Sequence, residues 1–295
     1  MKKISCLLLA MLMLLSFAAC GEKDNGGNTA APSAGQTAAP NDGNDADNTA
    51  EPTDDNAASG GKLIYATSAD YPPFEFIYVD DQGKQQYAGI DVFLAQKIAD
   101  DMGKELQVMN MSFDSLMAAL QKGDADIVIA GVEDTEERRV AADFSDPYYT
   151  DYPPMILGKA ANVDSYKSVE DFSGKSVGAQ TGTTKADIVT EQLPEAKLVA
   201  LTVVTDLVNE LVYDKCDAIV LDGAVAMQYA ASNPDLAISE VSLGEAEPYC
   251  VAVQKGDPSG LLESINATIA AAKEDGTVEA WVEQANTLAD QSAEG

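Results

Sequence analysis

The sequence predicts an α/β protein of two lobes that face each other across a cleft. Short apolar runs alternate with segments of helical periodicity, which is typical of a parallel sheet with helices on both faces. This alternation begins near Lys62, stops at Tyr148–Pro154 and then starts again. A second interruption at Glu245–Tyr249 precedes a last strand and helix. We expect these last elements to return to the first lobe, so that two crossing segments join the lobes.

The first lobe is predicted from apolar spacing. Leu94 and Ile98 share one helical face, as do Leu116 and Leu120, and Gly103 follows the end of the first helix. In chain order we predict strand Leu63–Thr67, helix Ile90–Met102, strand Leu106–Met109, helix Asp114–Lys122, strand Ala125–Ala130, and a helix capped by Thr135 that carries Arg138 and Arg139.

The second lobe repeats the pattern after the first crossing. We predict a capped turn at Ser168–Phe172, strands at Ser176–Ala179, Leu198–Leu201 and Ala218–Leu221, and helices at Thr184–Gln192, Asp206–Val212 and Ala224–Ala231. Strand Cys250–Gln254 and helix Leu261–Trp281 complete the chain. These elements place lobe 1 at 62–147 plus 250–290, lobe 2 at 153–246, and the hinges near 148–152 and 246–249.

The N-terminal region predicts export. Lys2 and Lys3 precede an apolar run that is too short for a membrane span, and residues 1–19 are interpreted as a signal peptide. Small residues before Cys20 resemble a bacterial lipobox, although Phe17 stands where Leu is usual. That resemblance implies a lipid on Cys20 and an extracytoplasmic, membrane-anchored protein; secretion with an unmodified Cys20 is the alternative. Residues 20–61 contain no large apolar side chain beyond Cys20 and are predicted to be a disordered tether.

Composition excludes several classes of function. The net charge of −31 argues against binding of nucleic acid or anionic lipid head groups by the protein surface. The chain has no histidine, which removes Ser-His-Asp and Cys-His catalysis and the usual zinc sites. We expect no cofactor and no metal, since acidic runs such as DNDADN lie in the tether without a calcium-loop context. Cys216 and Cys250 are expected to be free, buried thiols, and the protein to be a monomer.

Candidate binding residues follow the predicted strands, where ligands sit in open α/β sheets. Tyr71 and Phe113 could offer ring faces or could simply pack. Arg138 could bind an anion through its planar fork of donors, or be a surface charge beside Arg139. Thr183 and Thr184 follow another predicted strand and open a helix, whose N-terminus suits a carboxylate of a ligand. Asp222 ends a further strand, and its own carboxylate could accept an ammonium or cap the next helix. Together these groups complement a zwitterionic α-amino acid.

Several motifs in this order resemble the amino-acid-binding group of the bacterial extracellular solute-binding proteins, which serve ABC importers: SADYPPFEF, YAGIDVFLAQKIA, TEERRVAADFSDPYY, GAQTGTT and CDAIVLD. The resemblance implies the type II periplasmic-binding-protein fold, a free amino acid as ligand, and delivery to a transmembrane permease. It also implies residue roles. Arg138 would hold the α-carboxylate beside a main-chain group of Gly131. Thr183 and Thr184 would donate from lobe 2, Asp222 would accept the α-ammonium, and Tyr71 and Phe113 would flank the ligand.

Two positions depart from the family pattern. Ser68, with Asp70 two residues later, stands where some members have an aspartate that reads the ligand side chain. Glu133 stands where a hydroxyl usually helps hold the carboxylate. Two carboxylates about 4 Å apart repel by about 4 kcal/mol at an effective dielectric of about 20. We therefore expect Glu133 to turn away or to meet a cation on the ligand, and hypothesise a polar or cationic amino acid with Asp70 and Glu133 near its side chain.

Two other classes of function stay open at this point. A catalytic, lyase-like offshoot of the same fold could use a desolvated Glu133 as a general acid, although the chain offers no histidine partner. A ligand-binding sensory module could serve a separate receptor. The binding protein of an importer is the main interpretation, with no enzymatic activity.

Overall fold

The computed structural model describes residues 61–293, so the predicted signal peptide, Cys20 and nearly all of the tether lie outside the described residues. The strands are β1 (Lys62–Thr67), β2 (Asp70–Tyr71), β3 (Glu75–Val79), β4 (Gln85–Ala88), β5 (Glu105–Asn110), β6 (Ile127–Val128), β7 (Ala142–Phe144), β8 (Tyr149–Thr150), β9 (Met155–Lys159), β10 (Ser176–Gln180), β11 (Lys197–Leu201), β12 (Ala218–Leu221), β13 (Leu236–Ile238), β14 (Pro248–Tyr249) and β15 (Ala252–Gln254). The helices are α1 (Ile90–Asp101), α2 (Leu116–Lys122), α3 (Thr184–Gln192), α4 (Val204–Val212), α5 (Gly223–Ser232), α6 (Leu262–Glu274) and α7 (Thr277–Ala293).

Two five-stranded sheets organise the described residues. The first has the order β5-β1-β6-β15-β7 and the second β11-β10-β12-β9-β13. In each sheet four strands run in one direction and a fifth, β15 in the first sheet and β9 in the second, runs antiparallel to its two neighbours, so the sheets are mixed rather than purely parallel as the alternation predicted. The reason in the first sheet is that β15 arrives from the other sheet and runs against β6 and β7.

The chain passes between the two sheets twice. After β7 it runs through β8 into the second sheet, and it comes back through β14 to β15. Strands β8 and β14 pair antiparallel, with Tyr149 opposite Tyr249. The α/β fold class with two crossings is therefore confirmed, while the lobe and hinge limits drawn from the sequence stay a proposal.

A buried aromatic cluster lies beside the crossing strands. The ring of Phe74, fully buried, meets Tyr249 edge-on at 5.2 Å and Tyr149 at 5.7 Å between centroids. The hydroxyl of Tyr148 donates to Asp91 Oδ1 at 2.7 Å, which joins the crossing to helix α1. Edge-to-face pairs of this kind stabilise beyond their buried area. The cluster thus fixes the base of the cleft.

Several predicted elements need correction. The helix expected to carry both arginines is one 3₁₀ turn, Arg138–Val140, because β7 begins at Ala142 and leaves no room for a second turn. The C-terminal helix is divided into α6 and α7 at Gly276, whose φ of +77° ends the first. The sheet β2-β3-β4 was not predicted, because polar residues and exposed Ile77 and Val79 obscure its apolar alternation.

Other features agree with the sequence. Cys216 and Cys250 are free and buried, as expected. Within residues 61–293 no helix combines the length and apolarity needed to cross a bilayer.

Candidate functional site

The site lies in a cleft between loops that follow strands of both sheets. Parallel strands place their carboxyl ends at one edge, so loops distant in sequence meet there. The described residues that line the cleft leave a cavity of about 10 Å³, roughly the space of one water and far below the range of about 300–1,000 Å³ usual for small-molecule pockets. They are Tyr71, Glu75, Phe113, Ala130, Gly131, Glu133, Gln180, Thr183, Lys185 and Asp222.

Arg138 is held against the edge of this cleft. Its amide donates to Thr135 Oγ1 at 3.2 Å, and its guanidinium lies 5.4 Å from the centre of the Phe113 ring. Nη1 donates to the backbone oxygen of Glu133 at 3.0 Å and to its Oε2 at 2.7 Å, while Nη2 reaches Gly182 O at 3.4 Å. The Arg138 side chain is therefore 11% exposed.

Arg139 differs from its neighbour. Its side chain is 58% exposed and pairs with Asp134 at 2.7 Å. The sequence interpretation that separates the two arginines agrees with this placement, because only Arg138 points between the sheets.

Glu133 meets cations of the protein itself, an arrangement that was not among those expected. Its Oε1 accepts from Lys185 Nζ at 2.5 Å and from Thr184 Oγ1 at 2.9 Å. Lys185 Nζ also lies 2.7 Å from Asp222 Oδ1. The result is a chain of buried charges, Arg138–Glu133–Lys185–Asp222, that links loops of the two sheets.

The charges in this chain stabilise each other's ionised forms. Burial alone would raise the pKa of Glu133, but Lys185 first and then Arg138 outweigh it and hold that pKa below its ordinary value. Burial would likewise lower the pKa of Lys185, but Asp222 and then Glu133 raise it. Glu133 and Lys185 are therefore both ionised at neutral pH.

Asp222 does not cap the helix that it precedes, although the local sequence slightly favoured that role. Its Oδ2 accepts from the hydroxyl of Tyr71 at 2.8 Å, while its Oδ1 faces Lys185. Asp151 from the first crossing takes over the cap, since its Oδ2 accepts from Ala224 N at 3.1 Å. The carboxylate of Asp222 is thus turned into the cleft.

Two other candidates, Thr183 after β10 and Gly131 after β6, already have hydrogen-bond partners within the protein. Thr183 caps α3, with its Oγ1 accepting from Ala186 N at 3.3 Å and donating to Gln180 O at 2.7 Å. Gly131 has a φ of +55°, and its amide donates to Asp91 Oδ2 at 2.8 Å. Its amide is therefore already satisfied below the cleft.

Ser68 and Asp70 lie away from the cleft lining, contrary to the expectation that Asp70 reads a ligand side chain. Ser68 Oγ donates to Asp70 Oδ1 at 3.2 Å, and Asp70 Oδ2 accepts from Val204 N at 2.7 Å. Because Val204 is the first residue of α4, the Asp70 carboxylate caps a helix that belongs to the region of the second sheet. The carboxylate thus serves a structural contact between the two regions.

Three buried acids in and near the cleft have a raised pKa. Burial, then Asp91, raises the pKa of Glu75 well above its ordinary value, and burial raises that of Asp91 to about 6. Burial similarly raises the pKa of Asp151 to about 6. Within residues 61–293 no cluster of potential ligands could hold a metal ion.

These carboxyls predict a pH dependence of stability. A folded-state pKa above the ordinary value means that the native state binds protons more readily, so stability falls as pH rises from about 4 to 6. For the Asp151→Asn variant we expect this fall to be smaller than in the wild type, by up to about 3 kcal/mol at 1.36 kcal/mol per pKa unit. Urea unfolding at pH 4 and 7 checks this, with exposed Asp164→Asn as the control; an equal change in unfolding free energy for the wild type and Asp151→Asn would contradict it.

The two sheets, the double crossing and the cleft at their strand ends define a two-lobed binding protein of the periplasmic type. The family model of the bacterial extracellular solute-binding proteins, family 3, matches residues 63–285, and the chain belongs to this family. It is 34% identical to the arginine-binding extracellular protein ArtP of Bacillus subtilis (strain 168) over 74% of this chain and 83% of that protein. It is 31% identical to the ABC transporter arginine-binding protein 1 of Escherichia coli (strain K12) over 75% and 89% of the two chains.

A solved structure agrees with this assignment. It is an amino acid ABC transporter substrate-binding protein from Streptococcus pneumoniae Canada MDR_19A bound to L-arginine, 41% identical, with a TM-score of 0.74. The match covers 77% of this chain and 95% of that one.

Lys185 was missed by sequence reasoning. Its signal is present, because a lysine stands in the first turn of α3, where the helix dipole disfavours a cation. The same lysine follows directly on the Thr183–Thr184 pair already singled out as an anion site. A cation at that position needs an acidic partner, and Glu133 is the acid for which the sequence had identified no partner within the protein.

Proposed function

We propose that this protein captures an amino acid outside the cytoplasm and delivers it to the permease of an ABC importer. The observation that carries the proposal is the convergence of Arg138, Thr184 and Asp222 on the buried Glu133–Lys185 pair at the cleft, in a chain of the solute-binding family. A guanidinium with a hydroxyl suits a carboxylate, and Asp222 suits an ammonium. Opening and closing of the cleft about the crossings, the hinge motion of such folds, would admit and release the ligand.

The proposed roles keep the sequence assignments for the residues at the cleft. Arg138 with Thr183 and Thr184 would hold the α-carboxylate, Asp222 the α-ammonium, and the rings of Tyr71 and Phe113 would flank the ligand. Gly131 would contribute its carbonyl rather than its amide. We assign no ligand contact to Ser68 or Asp70, because both are engaged at the α4 contact.

A cationic amino acid, with L-arginine first, is the proposed ligand. A groove beside the cleft shares Glu133, Lys185 and Asp222 with it, and its remaining acidic lining residues are Asp151, Asp187, Glu191, Glu245 and Glu247. Lys185 is the one basic residue among the described residues that line this groove. Such a lining raises the local concentration of cations. The matched arginine-binding relatives support the same choice.

Titration calorimetry against the twenty amino acids, ornithine and cystine tests this proposal. We expect one molecule of L-arginine or another cationic amino acid to bind per chain, without turnover. Mass spectrometry of the small molecule that co-purifies with the protein is the complementary measurement. Binding of small aliphatic amino acids alone would contradict the proposed ligand, and formation of a product would contradict the binding role.

The proposed location is the outer face of the cell membrane, through a lipid on Cys20, with the protein as a monomer at the permease. The basis is the lipobox-like sequence ending at Cys20 and the apolar-free stretch up to Gly61. We expect labelled palmitate to enter the wild-type chain in cells and the Cys20→Ala variant to lose both the label and the membrane fraction. Cys216→Ala is the control, and label retained in Cys20→Ala would contradict the anchor.

A further inference from the structure

Glu133 and Lys185 reproduce the two charged groups of an amino acid. The carboxylate of Glu133 takes donors from Arg138 and Thr184, which are the donors proposed for a ligand's α-carboxylate. The ammonium of Lys185 lies 2.7 Å from Asp222, which is the acceptor proposed for a ligand's α-ammonium. The two groups also bond to each other. The protein's own side chains therefore meet the same partners that a zwitterion would need.

We propose that Glu133 and Lys185 are an internal competitor of the amino acid ligand and thereby determine the affinity of the cleft. This rests on the proposed function. A zwitterion engages Arg138 and Asp222 only when these residues give up Glu133 and Lys185. Lys185 must leave Asp222 for the α-ammonium, and Glu133 must leave Arg138 and Thr184 for the α-carboxylate.

The burial of Glu133 and Lys185 indicates that a ligand must displace both side chains. Glu133 is 5% exposed and Lys185 4% exposed, and both oxygens of Glu133 have partners. A ligand carboxylate that entered beside an unmoved Glu133 would face a second carboxylate without shared donors, which like charges disfavour. Both side chains belong to the lining of the cleft, whose free volume of about 10 Å³ leaves no room for an amino acid beside them. Displacement is thus required by charge as well as by space.

A contribution to stability does not by itself explain this pair. Desolvation of two buried charges offsets much of their attraction, and well-packed apolar residues often stabilise as well or better. Lys185 also stands in the first turn of α3, where the helix dipole disfavours a cation. What the pair does change is the fraction of molecules whose cleft can accept a zwitterion.

That fraction sets the size of the expected effect. The apparent dissociation constant equals the intrinsic one divided by the competent fraction. If the internal pair engages Arg138 and Asp222 in at least nine molecules out of ten, removal of the pair tightens ligand binding by about tenfold or more.

Calorimetry with L-arginine on the full mature chain tests the inference with the double variant Glu133→Gln plus Lys185→Met. Glu133→Gln keeps the length of its side chain, Lys185→Met shortens its side chain by one atom, and both remove the charge. The matched control is Glu210→Gln plus Lys215→Met, which removes an exposed ion pair of 2.8 Å from the same region. We expect the first variant to bind L-arginine at least about tenfold more tightly than the wild type, and the control to bind like the wild type.

Affinity that is unchanged or weaker in the first double variant overturns the inference, because Lys185 or Glu133 then either supports the ligand or has only a structural role. If neither the wild type nor the variants bind any amino acid, the proposed function fails and the inference falls with it. Thermal unfolding reports whether each variant is folded. Should the double variant not fold, Glu133→Gln plus Lys185→Gln, which keeps hydrogen-bonding atoms at both positions without their charges, is measured instead with the same expectation and the same refutation.

Discussion

The Arg138→Ala variant is expected to bind L-arginine at least about 100-fold more weakly than the wild type. A hydrogen bond to a charged group contributes about 1.5–3 kcal/mol, and loss of one partner of a buried pair costs about 2–5 kcal/mol. Arg138 also anchors the cleft edge through Gly182 and the ring of Phe113. Titration calorimetry measures the change.

Arg139→Ala is the matched control for this prediction. The guanidinium of Arg139 is exposed and pairs with Asp134, so its removal should change the affinity by less than about threefold. Both variants lose one positive charge from the same 3₁₀ turn, which cancels the effect of net charge on cation attraction. Equal losses of affinity in the two variants would refute the role of Arg138.

The sequence was sufficient for those parts of the site that depend on strand ends. Tyr71, Arg138 and Asp222 each follow a predicted strand, and the structure brings the three together because parallel strands deliver their following loops to one edge. The family resemblance supplied the type II fold, which the family match confirms. Their roles toward a ligand stay predictions.

The remaining contacts depend on tertiary placement that local pattern does not encode. Asp222 looks like a helix cap, yet Asp151 from the crossing segment performs that function, so the cap identity depends on a residue 73 positions before Ala224, whose amide it accepts. Asp70 looks like a ligand contact, yet it caps α4 in another region of the fold. Glu133 was recognised as unusual, but its partner Lys185 lies on α3, 52 residues later.

The chain of buried charges also changes the interpretation of Glu133, which departs from the family pattern. From the sequence, a carboxylate in that position indicated a cation on the ligand. In the structure the cations that meet Glu133 are Arg138 and Lys185. The proposal of a cationic ligand therefore depends on the acidic groove and on the arginine-binding relatives rather than on Glu133. The residue instead bears on how strongly any zwitterion is held.

The Phe74→Ala variant is expected to lose about 3–5 kcal/mol of unfolding free energy, the usual cost of truncating a fully buried phenylalanine. Phe74 lies between Tyr249 and Tyr149 of the two crossing strands and stacks at 6.4 Å on Tyr71, so no single neighbour can fill the space that it leaves. Urea unfolding measures the loss. Exposed Tyr213→Ala is the control and should change stability by no more than about 0.5 kcal/mol.

The same truncation should weaken L-arginine binding, because the hydroxyl of Tyr71 holds Asp222 in the cleft and its ring rests on Phe74. We expect a loss of about tenfold, which corresponds to about 1.4 kcal/mol, measured well below the unfolding transition. A Phe74→Ala protein as stable as Tyr213→Ala would contradict the assigned packing. A destabilised Phe74→Ala protein with wild-type affinity would show that the aromatic cluster stabilises the crossing without positioning Asp222, and the link from core to site would then be wrong.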